Sequence, residues 1–134
     1  MARLTFAEEM ERVTQARSTR RAANYKYGKV AVVLASNRPN DLMDVLKDIE
    51  SQTLPTFELL LGCHGFMPST QMKKAFGRLK RRKVSVRDFI YEPSMTLGSM
   101  LTDLAGKTKA EFIAKMDDDD IYGPEHLRDL LDVI

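Results

Sequence analysis

The apolar positions of this chain recur in an order that alternates strand and helix. Val30-Ala31-Val32-Val33-Leu34-Ala35 is a continuous apolar run, the pattern of a strand buried on both faces. Ser36-Asn37-Arg38-Pro39-Asn40 follows as a turn with helix-start residues. Leu42, Val45, Leu46 and Ile49 then recur at helical spacing up to Gln52, and Thr53-Leu54-Pro55 breaks that helix. Phe57 to Gly62 reads as a second buried strand. Met72, Phe76 and Leu79 mark a second helix in spite of Gly77. Val84 to Tyr91 is a partly alternating third strand, and Leu97 to Ala105 a third helix closed by Gly106. Phe112 to Met116 is a fourth strand. Leu127, Leu130 and Leu131 belong to a last helix with Pro124 near its first turn. Four alternations with short connections and apolar strands predict an α/β fold with a parallel sheet and right-handed crossovers.

Residues 1–28 read as a separate helical leader to a domain spanning 29–134. Thr5 and Glu8 have capping-box spacing, and Phe6, Met10 and Val13 form a short apolar stripe. A helix from about Phe6 to Arg20 is expected, packed on the outside of the main domain or on a partner, with Asn24–Gly28 as its linker.

Composition narrows the class. The chain has 134 residues, 43% apolar and 30% charged, enough for one soluble domain with its own core. The apolar fraction excludes intrinsic disorder, and a single cysteine, Cys63, excludes a disulfide scaffold. No apolar run approaches the ~18 residues of a membrane span, and residues 1–25 contain no signal-peptide core, so a cytoplasmic location is expected.

The net charge of +2 hides an asymmetry. Seven basic residues and no acid lie between Lys73 and Lys83, while seven acids and one Arg lie from Asp117 to Ile134. The basic stretch reads as a solvated helix end. The one aromatic within it, Phe76, belongs to the apolar stripe of the helix, so the stretch offers no series of aromatics for base stacking and no nucleic-acid partner is expected. A peripheral membrane contact through Lys73–Lys83 is the other use such a stretch could have.

Ligands of open α/β sheets bind beyond the carboxyl ends of the strands. Here those ends carry Ala35-Ser36-Asn37-Arg38, Gly62-Cys63-His64-Gly65 and Met116-Asp117-Asp118-Asp119-Asp120. Four consecutive carboxylates after a buried strand repel one another, and a divalent cation offsets that repulsion. Mg²⁺ and Mn²⁺ take oxygen ligands, one or two carboxylates together with substrate phosphates. Residues i and i+2 of an extended segment point the same way, so Asp117 and Asp119 can face one site. Capping of the next helix would account for one aspartate, not four. A calcium loop is the rival reading: Asp118, Asp120 and Gly123 fall on positions 1, 3 and 6 of an EF-hand. Against it, Tyr122 stands at position 5, Asp129 at position 12, and a strand precedes. His64 is a candidate nucleotide contact or base; Cys63 reads as a small buried filler, and His126 as a surface residue. No glycine-rich dinucleotide or P-loop motif is present.

Three segments together resemble family 2 glycosyltransferases of the GT-A fold: Val30–Pro39, Leu42–Pro55 with its Gln-Thr-Leu-Pro ending, and Phe112–Pro124 with an Asp-x-Asp motif followed by Tyr and Pro. The resemblance runs from about Lys29 to Ile134. It implies a GT-A-like (Rossmann-like), mostly parallel sheet with flanking helices, truncated after the metal motif. It also implies a site for a nucleoside-diphosphate sugar donor. Asp119 matches the metal-coordinating aspartate; Asp117 and Asp118 match acidic positions that touch the metal or the ribose, giving Asp117 and Asp119 as metal ligands and Asp118 as a donor contact. Ala35, Ser36, Asn37 and Arg38 match the segment around the base, and Gly98 the glycine bordering the nucleotide. Gly62-Cys63-His64-Gly65 departs from the acidic segment that usually reads the base, and Thr102 stands where an Asn is usual. The implied chemistry is Mn²⁺- or Mg²⁺-assisted, inverting transfer of the sugar to a glycan, lipid or small-molecule acceptor. The family's base and acceptor site lie beyond the metal motif, so no catalytic base is assigned, and this chain alone is not expected to transfer sugar. The alternative is an inactive module that binds a nucleotide sugar or a polyanion.

Overall fold

A computed structural model describes residues 5–22 and 29–132. Helix α1 covers Phe6–Ala22. The α/β unit then runs β1 (Val30–Ser36), α2 (Pro39–Glu50), β2 (Glu58–His64), α3 (Thr70–Arg81), β3 (Ser85–Tyr91), α4 (Leu97–Gly106), β4 (Phe112–Met116) and α5 (His126–Asp132). All four strands pair in parallel in the order β3-β2-β1-β4, so β1 is flanked on both sides: Val33 lies beside Leu60 of β2 and Lys115 of β4.

The alternation of β1 side chains divides the core. Val30, Val32 and Leu34 face a cluster with Leu42, Val45, Leu46 and Ile49 of α2, Met72, Phe76 and Leu79 of α3, and Leu127 and Leu131 of α5. Ala31 and Val33 face the other side with Leu60, Tyr91, and Met100 and Leu104 of α4. A continuous apolar strand is what a sheet covered on both faces requires. On the α4 side the approach is close: a Cβ on Gly62 would stand 3.1 Å from the Tyr91 ring and 3.3 Å from Met100 and Leu104. The Tyr91 hydroxyl donates to Asp103 at 2.5 Å, which ties β3 to α4.

Helix boundaries follow local chemistry. Pro39 opens α2, its fixed φ suited to a first turn. Ser69 and Thr96 cap α3 and α4, accepting from the Met72 and Ser99 N–H groups at 3.2 Å each. Gly77 costs α3 nothing visible, because the buried face lies elsewhere on the helix.

Several details differ from the sequence reading. β2 runs past Gly62 to His64, because pairing with β1 continues to Cys63 and pairing with β3 to His64. Gly106 is the last residue of α4 rather than a left-handed stop, and Lys107 ends the helix at φ −90°. Leu130 is 39% exposed, while Leu127 and Leu131 carry the contact of α5. Thr5 caps α1 by accepting from the Glu8 N–H at 3.2 Å, but Phe6, Met10 and Val13 are exposed, so the expected packing on the main domain is not seen. The proposed linker Asn24–Gly28 lies outside the described residues. Among the described residues, no helix is long and apolar enough to cross a membrane.

Candidate functional site

The strand order reverses at β1. The chain steps outward from β1 to β2 and β3, then returns to place β4 on the other side of β1. The loops leaving β1 and β4 therefore diverge and leave a crevice at their carboxyl ends, the switch point where open α/β sheets bind ligands. A cavity of about 420 Å³ lies there, lined by Ala35, Ser36, Asn37, Arg38, His64, Asp117, Asp118 and Asp119, with Leu97 and Met100 of α4. Of the residues assigned to the donor and metal sites from the sequence, Gly98 alone is not part of this lining. It sits inside the first turn of α4, where Leu97 and Met100 face the cavity instead.

The four aspartates have different surroundings. The chain turns at Asp118 and Asp119 rather than staying extended. The carboxylates of Asp117 and Asp119 do come together, through this turn rather than through the two-residue spacing of an extended segment. The turn adds Asp120, and one carboxylate oxygen from each of the three lies within 4.8 Å of the others. Like charges that close repel by about 1 kcal/mol per pair in water, and more where solvent is thinner. Lys115 stands 3.3 Å from Asp117 and relieves part of this. An all-oxygen, all-carboxylate donor set fits a hard cation such as Mg²⁺ or Mn²⁺ rather than a nitrogen- or sulfur-seeking one.

Asp118 points the other way. It accepts from the Ser36 hydroxyl at 2.6 Å, from Arg38 Nε at 3.1 Å and from Arg38 Nη2. Burial opposes its ionisation, but the bonds from Arg38 and Ser36 and the Arg38 charge outweigh that and hold its pKa below the usual carboxylate value. The same pair raises the Arg38 pKa. Ser36, Arg38 and Asp118 thus join the ends of β1 and β4 across the crevice. His64 Nε2 lies 3.0 Å from the Pro93 carbonyl oxygen, which can only accept, so Nε2 carries the proton. Cys63 is fully buried, and burial followed by the Asp88 charge pushes its thiol up to about 11, consistent with filler rather than nucleophile.

No protein-family model matches the sequence, and no curated protein matches it. Solved structures do. S. aureus TarS 1–349 superposes with a TM-score of 0.58 at 18% identity, covering 76% of this chain and 31% of that one. S. aureus TarS gives the same score and identity, with 18% of its chain covered. TarS 1–349 in complex with UDP gives 0.54 at 16% identity, covering 76% and 30%. The chain has the GT-A glycosyltransferase fold. It spans less than a third of the length of these TarS chains.

In this chain the segment after the aspartates rests on the end of α2, which the sequence reading did not foresee. Gln52, 2% exposed, donates through Nε2 to the carbonyls of Gly123 at 2.8 Å and Asp48 at 3.1 Å. Its Oε1 accepts from the Leu127 N–H at 3.0 Å. That bond meets the first turn of α5 without any of the four aspartates, so capping does not explain them. A buried-side Gln directly before a helix-breaking Thr-Leu-Pro is the signal that could have revealed this tie. The calcium-loop reading fails on two counts: β4 precedes the loop, and the Asp118 carboxylate is taken up by Arg38 and Ser36. His126 is not a free surface residue; its ring lies 4.7 Å from that of Tyr122.

The basic stretch is partly structural. Arg78 pairs with Glu50 at 2.5 Å. Arg82 donates to the carbonyls of Glu50, Gln52 and Leu54 at 2.6, 2.8 and 3.0 Å, gathering the chain as it leaves α2.

Proposed function

We propose that this chain binds a nucleoside-diphosphate sugar through Mn²⁺ or Mg²⁺ and forms the donor-binding part of an inverting glycosyltransferase. The observation that carries the proposal is the convergence of the Asp117, Asp119 and Asp120 carboxylates, the first two of which line the β1/β4 crevice beside Ala35–Arg38. A TarS structure of the same fold was solved in complex with UDP, which supports a nucleotide as the ligand.

In this reading Asp117 and Asp119, joined by Asp120, hold the cation. Bound there, it would supply Lewis-acid stabilisation of the charge that develops on a departing diphosphate. Asp118 serves as the anchor of Arg38 and so shapes the floor of the crevice. Ala35, Ser36, Asn37, Arg38 and His64 border the nucleotide, and the start of α4 closes the far wall through Leu97 and Met100, with Gly98 in the turn between them rather than at the nucleotide. Residues 29–134 form the binding unit, with 1–28 apart from it.

Calorimetry with UDP- and GDP-sugars, in Mn²⁺ and in EDTA, tests the proposal. Donor binding is expected in Mn²⁺ and not in EDTA. Equal binding in both would remove the metal, and no binding in either would remove the nucleotide sugar.

A further inference from the structure

The loop after the aspartates is fastened more tightly than the course of the chain requires. Tyr122 is half-buried against the α2 side of the core, with its ring against His126. Its hydroxyl accepts from the Asp117 backbone N–H at 2.7 Å and donates toward Asp120 Oδ2 at 3.4 Å. A phenol oxygen can accept and donate at once, so one atom joins the first and last residues of the carboxylate cluster. The Tyr122 backbone N–H in turn donates to Asp48 Oδ2 of α2 at 3.0 Å. Gln52 and Thr53 hold the next two residues, through the Gly123 and Pro124 carbonyls at 2.8 and 2.9 Å.

We propose that Tyr122 is a positioning residue for the metal site, holding the Asp117–Asp120 turn closed from a base on Asp48. The inference rests on the metal-dependent reading above and adds to it which residues set the ligand spacing. Asp117 lies just past the end of β4, where the ladder no longer satisfies its N–H, and the Tyr122 hydroxyl supplies the missing acceptor. Without it the turn is free to relax, and like charges held within 4.8 Å relax apart. Holding them together beforehand removes that cost from metal binding. Partners that orient metal ligands typically change affinity by about 10–100-fold when lost. The tie also fixes the spacing, so it should favour a small octahedral ion over a larger, more adaptable one.

The test uses the full chain, with Mn²⁺ as the probe and the EPR signal of free Mn²⁺ as the readout, with and without UDP. Tyr122→Phe keeps the ring and removes only the hydroxyl. It should weaken Mn²⁺ binding by about tenfold or more, weaken Ca²⁺ less, and so narrow the Mn²⁺/Ca²⁺ preference. Tyr91→Phe removes another tyrosine hydroxyl, one that bonds to Asp103 instead, and should leave Mn²⁺ affinity unchanged. Asp48→Ala, which leaves every carboxylate of the cluster in place, should weaken Mn²⁺ in the same direction. In metal-free protein the Asp117 amide should exchange faster in Tyr122→Phe than in wild type. Equal Mn²⁺ affinity in Tyr122→Phe and wild type, or unchanged Asp117 exchange, overturns the positioning role while leaving the metal site standing. Wild-type protein that binds no Mn²⁺ in either condition overturns the metal reading, and this inference with it.

Discussion

The acidic run Asp117–Asp120 and the basic run Lys73–Lys83 look like opposite versions of one feature in the sequence, yet the fold gives them opposite fates. The basic run is spread along α3 and the turn after it. Its two best-placed cations are absorbed by the scaffold, Arg78 by Glu50 and Arg82 by three carbonyls at the end of α2. The acidic run is gathered. Asp118 is absorbed in the same way, by Arg38 and Ser36, but its three neighbours converge on one another at the mouth of the cavity. Charge density along the chain is a poor guide to a site; concentration at a switch point, only partly compensated by the fold through Lys115, is a better one.

That contrast breaks first at Asp119. Asp119→Asn keeps the shape and removes one of the converging charges. Donor binding in Mn²⁺ should fall by more than the ~10–100-fold that outer partners are worth. Calorimetry that finds donor affinity unchanged would make the gathered run no different from the dispersed one.

The next largest effect belongs to the basic run, and it is on stability rather than binding. Arg82→Gln removes a charged donor from three carbonyls in a half-buried place. Hydrogen bonds to charged groups contribute about 1.5–3 kcal/mol, so a loss of roughly 2–3 kcal/mol is expected in urea unfolding. A change below about 0.5 kcal/mol would place Arg82 among the ordinary surface residues.

Asp118 sharpens the comparison through pH. Its folded pKa is depressed below the ordinary 3.8, so the stability it contributes is present above that value and lost as pH falls through the folded pKa. Asp103 is lowered too, chiefly by the bond from Tyr91, and contributes in the same sense. Asp118→Asn should therefore flatten part of the acid limb of the stability profile and leave the Asp103 part. Denaturation midpoints at neutral pH and below pH 4 measure this. An acid limb identical to wild type would mean that the Arg38 pair contributes nothing.

The architecture was legible because burial on both faces writes itself into β1 and β2 as unbroken apolar runs. The helices were legible because Leu42, Val45, Leu46 and Ile49, or Met72, Phe76 and Leu79, follow one stripe. The cavity lining was largely legible for the same reason, since ligand sites lie where strands end. What the sequence hid was the direction of each side chain once the chain stops being extended. Alternation put Asp117 and Asp119 on one side of an extended segment; in the structure a turn at Asp118 and Asp119 brings their carboxylates together with that of Asp120, and no local pattern marks that turn. The roles of Gln52 and Asp48 escaped notice because their partners in the loop lie about seventy residues away along the chain, and that of the Tyr122 hydroxyl because it depends on the same unmarked turn. The α1 stripe misled for the converse reason: a short apolar spacing predicts a helix whether or not anything covers it.

The smallest effect is expected where the two runs differ most, on the outer face of α3. Lys73, Lys74, Lys80 and Arg81 are exposed, and the apolar residues of the helix, Met72, Ala75, Phe76 and Leu79, are buried against the sheet. No apolar side chain of α3 is therefore free to enter a bilayer, and attachment to an anionic surface would rest on charge alone. At physiological ionic strength such attraction is screened beyond about 8 Å. Changing these four residues to Gln should leave sedimentation with anionic vesicles and retention on oligonucleotides as they are in wild type, and move stability by no more than about 0.5 kcal/mol. Arg82 is kept in this variant, because its loss would unsettle the end of α2 and blur the result. Wild-type binding to phosphatidylserine vesicles that falls steeply with salt and disappears in the variant would overturn the expectation. It would make the dispersed run a membrane-facing surface and would favour a lipid among the acceptors.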